Sequence, residues 1–405
     1  MTSACCPAAN VSPSPSRAEL LSLCQGAAYA SPLPLGCLAS LPSIAEPLKT
    51  FGIDKTQPHW RDWKWQFKNR LTSAEQIGQY LHLTADEKRA FQQAGTNLPF
   101  AITPYYLDAI DATNPQDPIR KTVVPRIAEL LKMPGEYADP CGEDSDMVVP
   151  GLVHRYPDRV LLLVNETCSV YCRYCTRSRL VGSGEHEVDL EAAYTYLENH
   201  PEVRDVLISG GDPLVMADHK LETIISRLRS IPHIELVRLG TKIPVVLPQR
   251  ITPELVAMLK RYAPFYMSIH FLHPAELTPE VVEACNRLAD AGIMTFSQTV
   301  LLQGVNDDPE TMKTLMHGLL KLRVRPYYIY QCDPVEGTSH FRTSIETGMT
   351  IMEHLRGHTT GYAVPTYVVD APGGGGKVPV SPHTATKNPD GSWSFTNYAG
   401  NTYTY

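Results

Sequence analysis

The chain has 405 residues, 43% of them hydrophobic and 20% charged, with a formal net charge of −7. That supports one large α/β core with extensions, or two domains, while the acidic balance gives no electrostatic support to a nucleic-acid partner. No apolar run approaches the ~18 residues of a membrane span, and ten cysteines in a chain this long do not make a disulfide scaffold.

Residues 1–50 are rich in Pro, Ser and Ala, as in Ser12-Pro13-Ser14-Pro15-Ser16. They read as a weakly ordered tail with a short helix near Ala18–Gln25. The start, Met1-Thr2-Ser3-Ala4-Cys5-Cys6, lacks the basic-then-apolar order of a secretory signal. Reduced thiols and a cytoplasmic location are therefore expected, and Cys5 and Cys6 read as tail residues, not ligands. Residues 51–150 form an N-terminal helical region, in which Trp60, Trp63 and Trp65, with Phe67, suggest one aromatic-faced helix. Thr84-Ala85-Asp86-Glu87 reads as a capping box.

From Arg159 a new rhythm begins. Short apolar runs at 160–164, 205–209, 236–240, 265–271, 294–302, 326–331 and 364–369 alternate with amphipathic stretches at 190–199, 220–231, 253–262, 279–291, 309–322 and 345–356. Strand and helix repeated about six times predict an α/β fold: right-handed βαβ units building a partial parallel (β/α)6-type barrel over 151–380. Residues 381–405 remain as a short C-terminal extension. Nearly every chemically suggestive residue falls at or just beyond the carboxyl end of a predicted strand, the rim where such barrels place active sites.

On that rim, Cys168, Cys172 and Cys175 form C-x3-C-x2-C within eight residues. A structural zinc site uses four ligands, usually as two separated pairs, and a simple electron-carrying cluster also uses four thiolates. No second Cys-x2-Cys pair is present for a zinc ribbon. Three thiolates on one loop can hold a four-iron cluster and leave one iron open to a small molecule. Here the chain resembles the radical S-adenosylmethionine (SAM) superfamily. The other strong segment is Asp370-Ala371-Pro372-Gly373-Gly374-Gly375-Gly376-Lys377. It departs from a Walker loop at Ala371 and Val378. A glycine run ending in one lysine suits a Schiff-base lysine that must swing in and out of a site. Taken alone, it reads rather as a surface turn ending in a solvated lysine.

The three cysteines followed far downstream by P-G-G-G-G-K resemble the lysine 2,3-aminomutase family, from about Trp60 onward. The resemblance implies a [4Fe-4S] cluster on Cys168, Cys172 and Cys175, SAM, and pyridoxal 5′-phosphate (PLP) carried by Lys377. It implies that PLP is held by Arg155, Tyr156 and Arg159 of His154-Arg155-Tyr156-Pro157-Asp158-Arg159, with Tyr330 near its ring. SAM would meet Gly210, Gly211, His270 and Gln298; a satisfied strand-end histidine is an equal reading of His270. Arg177 would take the substrate carboxylate, and Asp333 and Asp370 its distal ammonium. The family's glutamate-specific members carry Lys and Asn at those two positions, so lysine is the expected substrate, with arginine the rival. A shorter relative that supplies β-lysine for modifying a translation factor, and an inactive iron–sulfur binding protein, fit less well. Some members hold a zinc between subunits through C-terminal cysteines. The chain reads Asn401-Thr402-Tyr403-Thr404-Tyr405 there, and Asp308 stands at the neighbouring chain's ligand position, so no zinc is expected. The implied partners are an amino acid, an electron donor, and further copies of the chain in a dimer or tetramer.

Overall fold

The structure is a computed structural model that describes residues 55–405 apart from 94–97, 185–186 and 383. The tail at 1–50, with its expected helix near Ala18–Gln25, lies outside the described residues. Every expected run after Arg159 forms a strand: β3 (Arg159–Leu163), β4 (Asp205–Ser209), β5 (Leu236–Thr241), β6 (Phe265–His270), β7 (Met294–Leu301), β8 (Arg325–Gln331) and β9 (Thr366–Ala371). Consecutive members pair in parallel from β3 to β9. Each connection carries a helix: Leu190–Glu198, Asp218–Arg229, Pro253–Lys260, Pro279–Asp290, Pro309–Lys321 and Ile345–Leu355. These helices start at side-chain caps where Asp189, Thr252, Thr278, Asp308 or Ser344 accepts a backbone N–H; Asp218–Arg229 starts without one.

Parallel strands need such crossovers, and helices on the outer face bury the alternate side chains of each strand. The sheet order is sequential over ten strands, and no pairing joins its two edges among the described residues. The barrel is therefore partial, as expected. Its edges were not foreseen. β1 (Met147–Val149) and β2 (Leu152–Tyr156) precede β3 as an antiparallel meander, and β10 (Gly376–Pro379) folds back on β9. The segment His154–Arg159 thus spans the β2–β3 hairpin, with Tyr156 paired to Arg159. The C-terminal extension forms a separate three-stranded antiparallel sheet, β11 (Ala385–Lys387), β12 (Trp393–Thr396) and β13 (Thr402–Thr404).

The N-terminal region consists of short helices, and the single aromatic-faced helix expected at Trp60–Phe67 is a correction. A 3-10 turn at Pro58–Arg61 ends before Asp62, whose carboxylate caps a new helix at Trp63–Lys68. The restart leaves Gln66 fully buried, donating to the Trp60 carbonyl and accepting from the Tyr105 N–H. The Thr84–Glu87 capping box is present. Glu87 also forms a buried two-point pair with Arg120 at 2.8 and 2.7 Å. One continuous apolar core joins this region to the sheet.

Candidate active site

The cysteine loop leaves the end of β3 and is held from outside by the N-terminal region. Tyr171 N–H donates to the Ala101 carbonyl at 3.2 Å and Arg173 N–H to the Thr122 carbonyl at 2.8 Å. The Arg173 guanidinium binds Glu129 and the Pro99 carbonyl at 2.9 Å each, and Arg70 donates to the Cys168 carbonyl. From inside, the loop rests on Gly210 and Gly211, just past β4. Gly210 has φ +127°, and a Cβ there would lie 2.3 Å from the Asn165 carbonyl oxygen; one at Gly211 would lie 2.4 Å from that of Thr167. Both glycines are thus required by the packing of loop on loop, whatever ligand they also meet.

The three thiols back onto apolar side chains, Cys168 and Cys175 beside Ala101, Tyr171 and Val181, and Cys172 beside Tyr174 and Leu272. Three thiols on one loop, lining one cavity, are the soft donor set that an iron–sulfur cluster takes. A second group, Cys141, Asp333 and Asp370, has ligand atoms within 4.8 Å of one another.

A cavity of about 460 Å³ opens beyond this loop, and every site residue singled out in the sequence lines it. At one side stand Gly210, Gly211, His270 and Gln298. His270 and Gln298 are register partners on β6 and β7. Burial, with Lys242 and Arg177 nearby, lowers the His270 pKa to about 4, so its ring is neutral. Lys242 is itself buried and pairs with Glu276 at 2.8 Å.

At the other side, antiparallel pairing of β9 and β10 puts Lys377 directly across from Asp370. The Lys377 Nζ lies 3.3 Å from Asp370 Oδ1 and 5.5 Å from the centre of the Tyr330 ring. Its backbone N–H donates to the Tyr156 hydroxyl at 2.9 Å. The neighbouring Gly376, at φ +78°, leaves room for that contact: a Cβ would stand 3.0 Å from the same hydroxyl. The Arg159 guanidinium lies over the Tyr156 ring at 4.0 Å. Arg155 is already engaged, by Asp146 at 2.7 Å and by the Cys141 carbonyl.

Asp333, after β8, and Asp370 converge beside the Cys141 thiol. Burial first, then the like charge of Asp370, pushes the Asp333 carboxyl up to about 7, against the pull of Lys377. Arg177, expected to take the substrate carboxylate, already has a carboxylate partner within the chain. Glu143 pairs with it in a fork, 2.7 Å at the shortest. Burial works against the charged Glu143, and Arg177 overcomes it, holding the carboxyl below its usual range. Cys141 and Glu143 were missed in the sequence. The run Glu143-Asp144-Ser145-Asp146 looks like a solvated acidic turn, and nothing local distinguishes it.

A Radical SAM superfamily model matches residues 162–315, and a Lysine-2,3-aminomutase model matches residues 352–405. The chain is 52% identical over 353 residues to L-lysine 2,3-aminomutase of Acetoanaerobium sticklandii, spanning 86% of this chain and 85% of that one. It is 51% identical to the L-lysine 2,3-aminomutase of Clostridium subterminale, spanning 87% and 85%. The chain belongs to the lysine 2,3-aminomutase family. It is therefore an isomerase of the radical SAM type, whose cofactors are a [4Fe-4S] cluster, SAM and PLP. Family membership leaves the substrate open, because the chain is also 44% identical over 333 residues to glutamate 2,3-aminomutase of Clostridioides difficile. No helix among the described residues is long and apolar enough to cross a membrane.

Proposed function

We propose that this aminomutase converts L-lysine to β-lysine by moving the α-amino group to Cβ. The observation that carries the reading is the pair Asp333 and Asp370, two carboxylates in one partly desolvated wall of the cavity. Opposed like charges are relieved by a cation placed between them, and a lysine side chain brings one. A glutamate side chain would bring a third negative charge to the same wall.

When bound, the cluster and SAM supply a carbon-centred radical, and PLP supplies a conjugated ring that stabilises an unpaired electron beside the migrating nitrogen. The chain's own residues do the rest. Cys168, Cys172 and Cys175 would hold the cluster through three thiolates. Gly210, Gly211, His270 and Gln298 line the place for SAM, where the neutral His270 ring adds no charge beside its sulfonium. Lys377, at the end of the glycine loop, would hold PLP through its amine. Arg155, Tyr156 and Arg159 would hold its phosphate, and Tyr330 would stand near its ring. Arg177 takes the substrate carboxylate in a bidentate fork, while Asp333 and Asp370 take the distal ammonium. Binding at both ends leaves Cα and Cβ in one orientation, which is what a hydrogen transfer between carbons needs. The reading also requires an electron donor for the cluster. It places the enzyme in the reducing cytoplasm as a homo-oligomer, which sedimentation would size.

Arginine is the second reading, because a guanidinium pairs equally well with two carboxylates. Anaerobic turnover of reconstituted enzyme with SAM, PLP and dithionite, offered lysine and arginine separately, decides between them. Faster formation of β-lysine supports the proposal. Formation of β-arginine alone transfers the same chemistry to the longer substrate.

A further inference from the structure

The acidic strap at residues 139–146 meets three arginines on its side of the cavity, and one of them, Arg179, is shared by Asp139 at 3.3 Å, Asp144 and, at 3.8 Å, Glu143. Asp146 pairs with Arg155 at 2.7 Å, Asp144 with Arg179 at 2.7 Å, and Glu143 with Arg177 at 2.7 Å. The first two carboxylates are exposed or partly so, but Glu143 is buried, with 7% of its surface accessible. The strap is anchored at the glycine loop. Gly142 has φ +69°, and a Cβ there would lie 3.0 Å from the Gly374 nitrogen, while Gly373 N–H donates to the Pro140 carbonyl at 3.3 Å. The strap is thereby held between the loop that carries Lys377 and the loop that carries the cysteines.

The Glu143–Arg177 contact uses one edge of the guanidinium. Arg177 Nε lies 3.1 and 2.9 Å from the two carboxylate oxygens, and the Nη2 atom lies 2.7 Å from Oε1. The Nη1 atom has only a 3.3 Å contact to the Ser209 hydroxyl. A guanidinium has five N–H donors in a fixed plane. Once Glu143 holds the Nε–Nη2 edge, the plane is set, and the Nη1–Nη2 edge remains as a second fork of the right width for a carboxylate.

We propose that Glu143 is a positioning residue for substrate recognition. It locks the plane of Arg177 and presents the outer edge of the guanidinium to the substrate carboxylate. This rests on the assignment of Arg177 to that carboxylate. The opposite arrangement has Glu143 standing in the substrate's own place, to be displaced on binding, and the two differ in sign: loss of a positioning residue weakens substrate binding, and loss of a competitor tightens it.

The test compares wild type, E143Q, E143A and R177A as PLP-loaded enzyme. Lysine and lysinamide binding are followed by the change in PLP absorbance, and KM and kcat by anaerobic turnover. Positioning predicts that E143A weakens lysine binding and raises KM by about tenfold, the scale of one charge-assisted hydrogen bond, with a much smaller change in kcat. E143Q, which keeps an accepting oxygen, falls between wild type and E143A. Lysinamide, which has no carboxylate, binds E143A and wild type alike. Unchanged or tighter lysine binding by both Glu143 variants overturns the inference, as does an equal loss for lysinamide. R177A separates the levels: if it leaves lysine binding intact, the assignment of Arg177 has failed; if it weakens lysine while the Glu143 variants do not, only the positioning role has. If E143A does not fold, E143Q carries the test.

Discussion

Replacing Asp333 by Asn should make the protein more stable at alkaline pH and a worse binder of lysine. Asp333 titrates at about 7 where its ordinary value is 3.8, chiefly through burial and then through Asp370. A displacement of that size disfavours the charged form by about 4 kcal/mol, an upper figure for what the neutral amide can recover. The sign follows from the raised value. The folded state holds the Asp333 proton more tightly than the unfolded chain does, so its contribution to stability is complete below about 4 and is lost as pH rises through about 7. Asp333→Asn and wild type should therefore melt alike near pH 4, with the variant gaining steadily up to pH 7 and holding a constant lead above it. Lysine should behave in the opposite way. Its ammonium favours the ionised carboxylate, so wild-type affinity should climb toward pH 7 with release of a proton and then level. The variant should lack that step and bind about 30- to 150-fold more weakly at pH 8, the equivalent of about 2–3 kcal/mol for losing one partner of a partly buried ion pair. Thermal unfolding from pH 4 to 9 on PLP-free protein gives the first half. Lysine titrations of the PLP-loaded enzyme give the second. If Asp333→Asn is no more stable than wild type at pH 8, or binds lysine equally well, the two carboxylates do not form the strained cation site described here.

Lys377→Ala should abolish the visible Schiff-base band of enzyme mixed with PLP, read directly by absorbance, and should lower the melting temperature near neutral pH, because it removes the cation beside the largely buried Asp370 side chain. Gly210→Ala forces a Cβ to 2.3 Å from the Asn165 carbonyl oxygen at a φ of +127°. It should displace the cysteine loop and lower the iron bound after reconstitution, in addition to lowering thermal stability. Arg120→Ala, remote from the cavity, leaves the buried Glu87 carboxylate without its partner. It should lower the unfolding free energy by about 3–5 kcal/mol in denaturant titrations with kcat unchanged in the protein that remains folded.

The parallel core was legible because its signals are local. A run such as Asp205–Ser209 alternates buried and half-buried positions, and helices such as Pro253–Lys260 and Pro279–Asp290 begin at a Thr cap followed by proline, so a few neighbouring residues suffice to place each element. The C-terminal sheet carried a comparable signal, Asp390-Gly391 and Gly400 turns around the alternating Trp393–Phe395 run, which went unread. The break at Asp62 was not visible. The spacing of Trp60, Trp63 and Phe67 suits one helix, and the burial of Gln66 against Tyr105 depends on a segment 39 residues away.

What the amino-acid order alone determined was the chemistry on offer: three thiols on one loop, one lysine after four glycines, one carboxylate just past β8 and one near the carboxyl end of β9. Each follows from covalent spacing and strand period, which no tertiary contact alters. What only the folded chain decided was the partner of each group. Glu143 reaches Arg177 across 34 residues, Cys141 joins carboxylates almost 200 residues and more downstream, and Asp370 faces Lys377 because β10 turns back on β9. Those pairings set charge and orientation. They arise from how sheet and loops close around the cavity, where burial makes an ion pair strong and a lone charge costly.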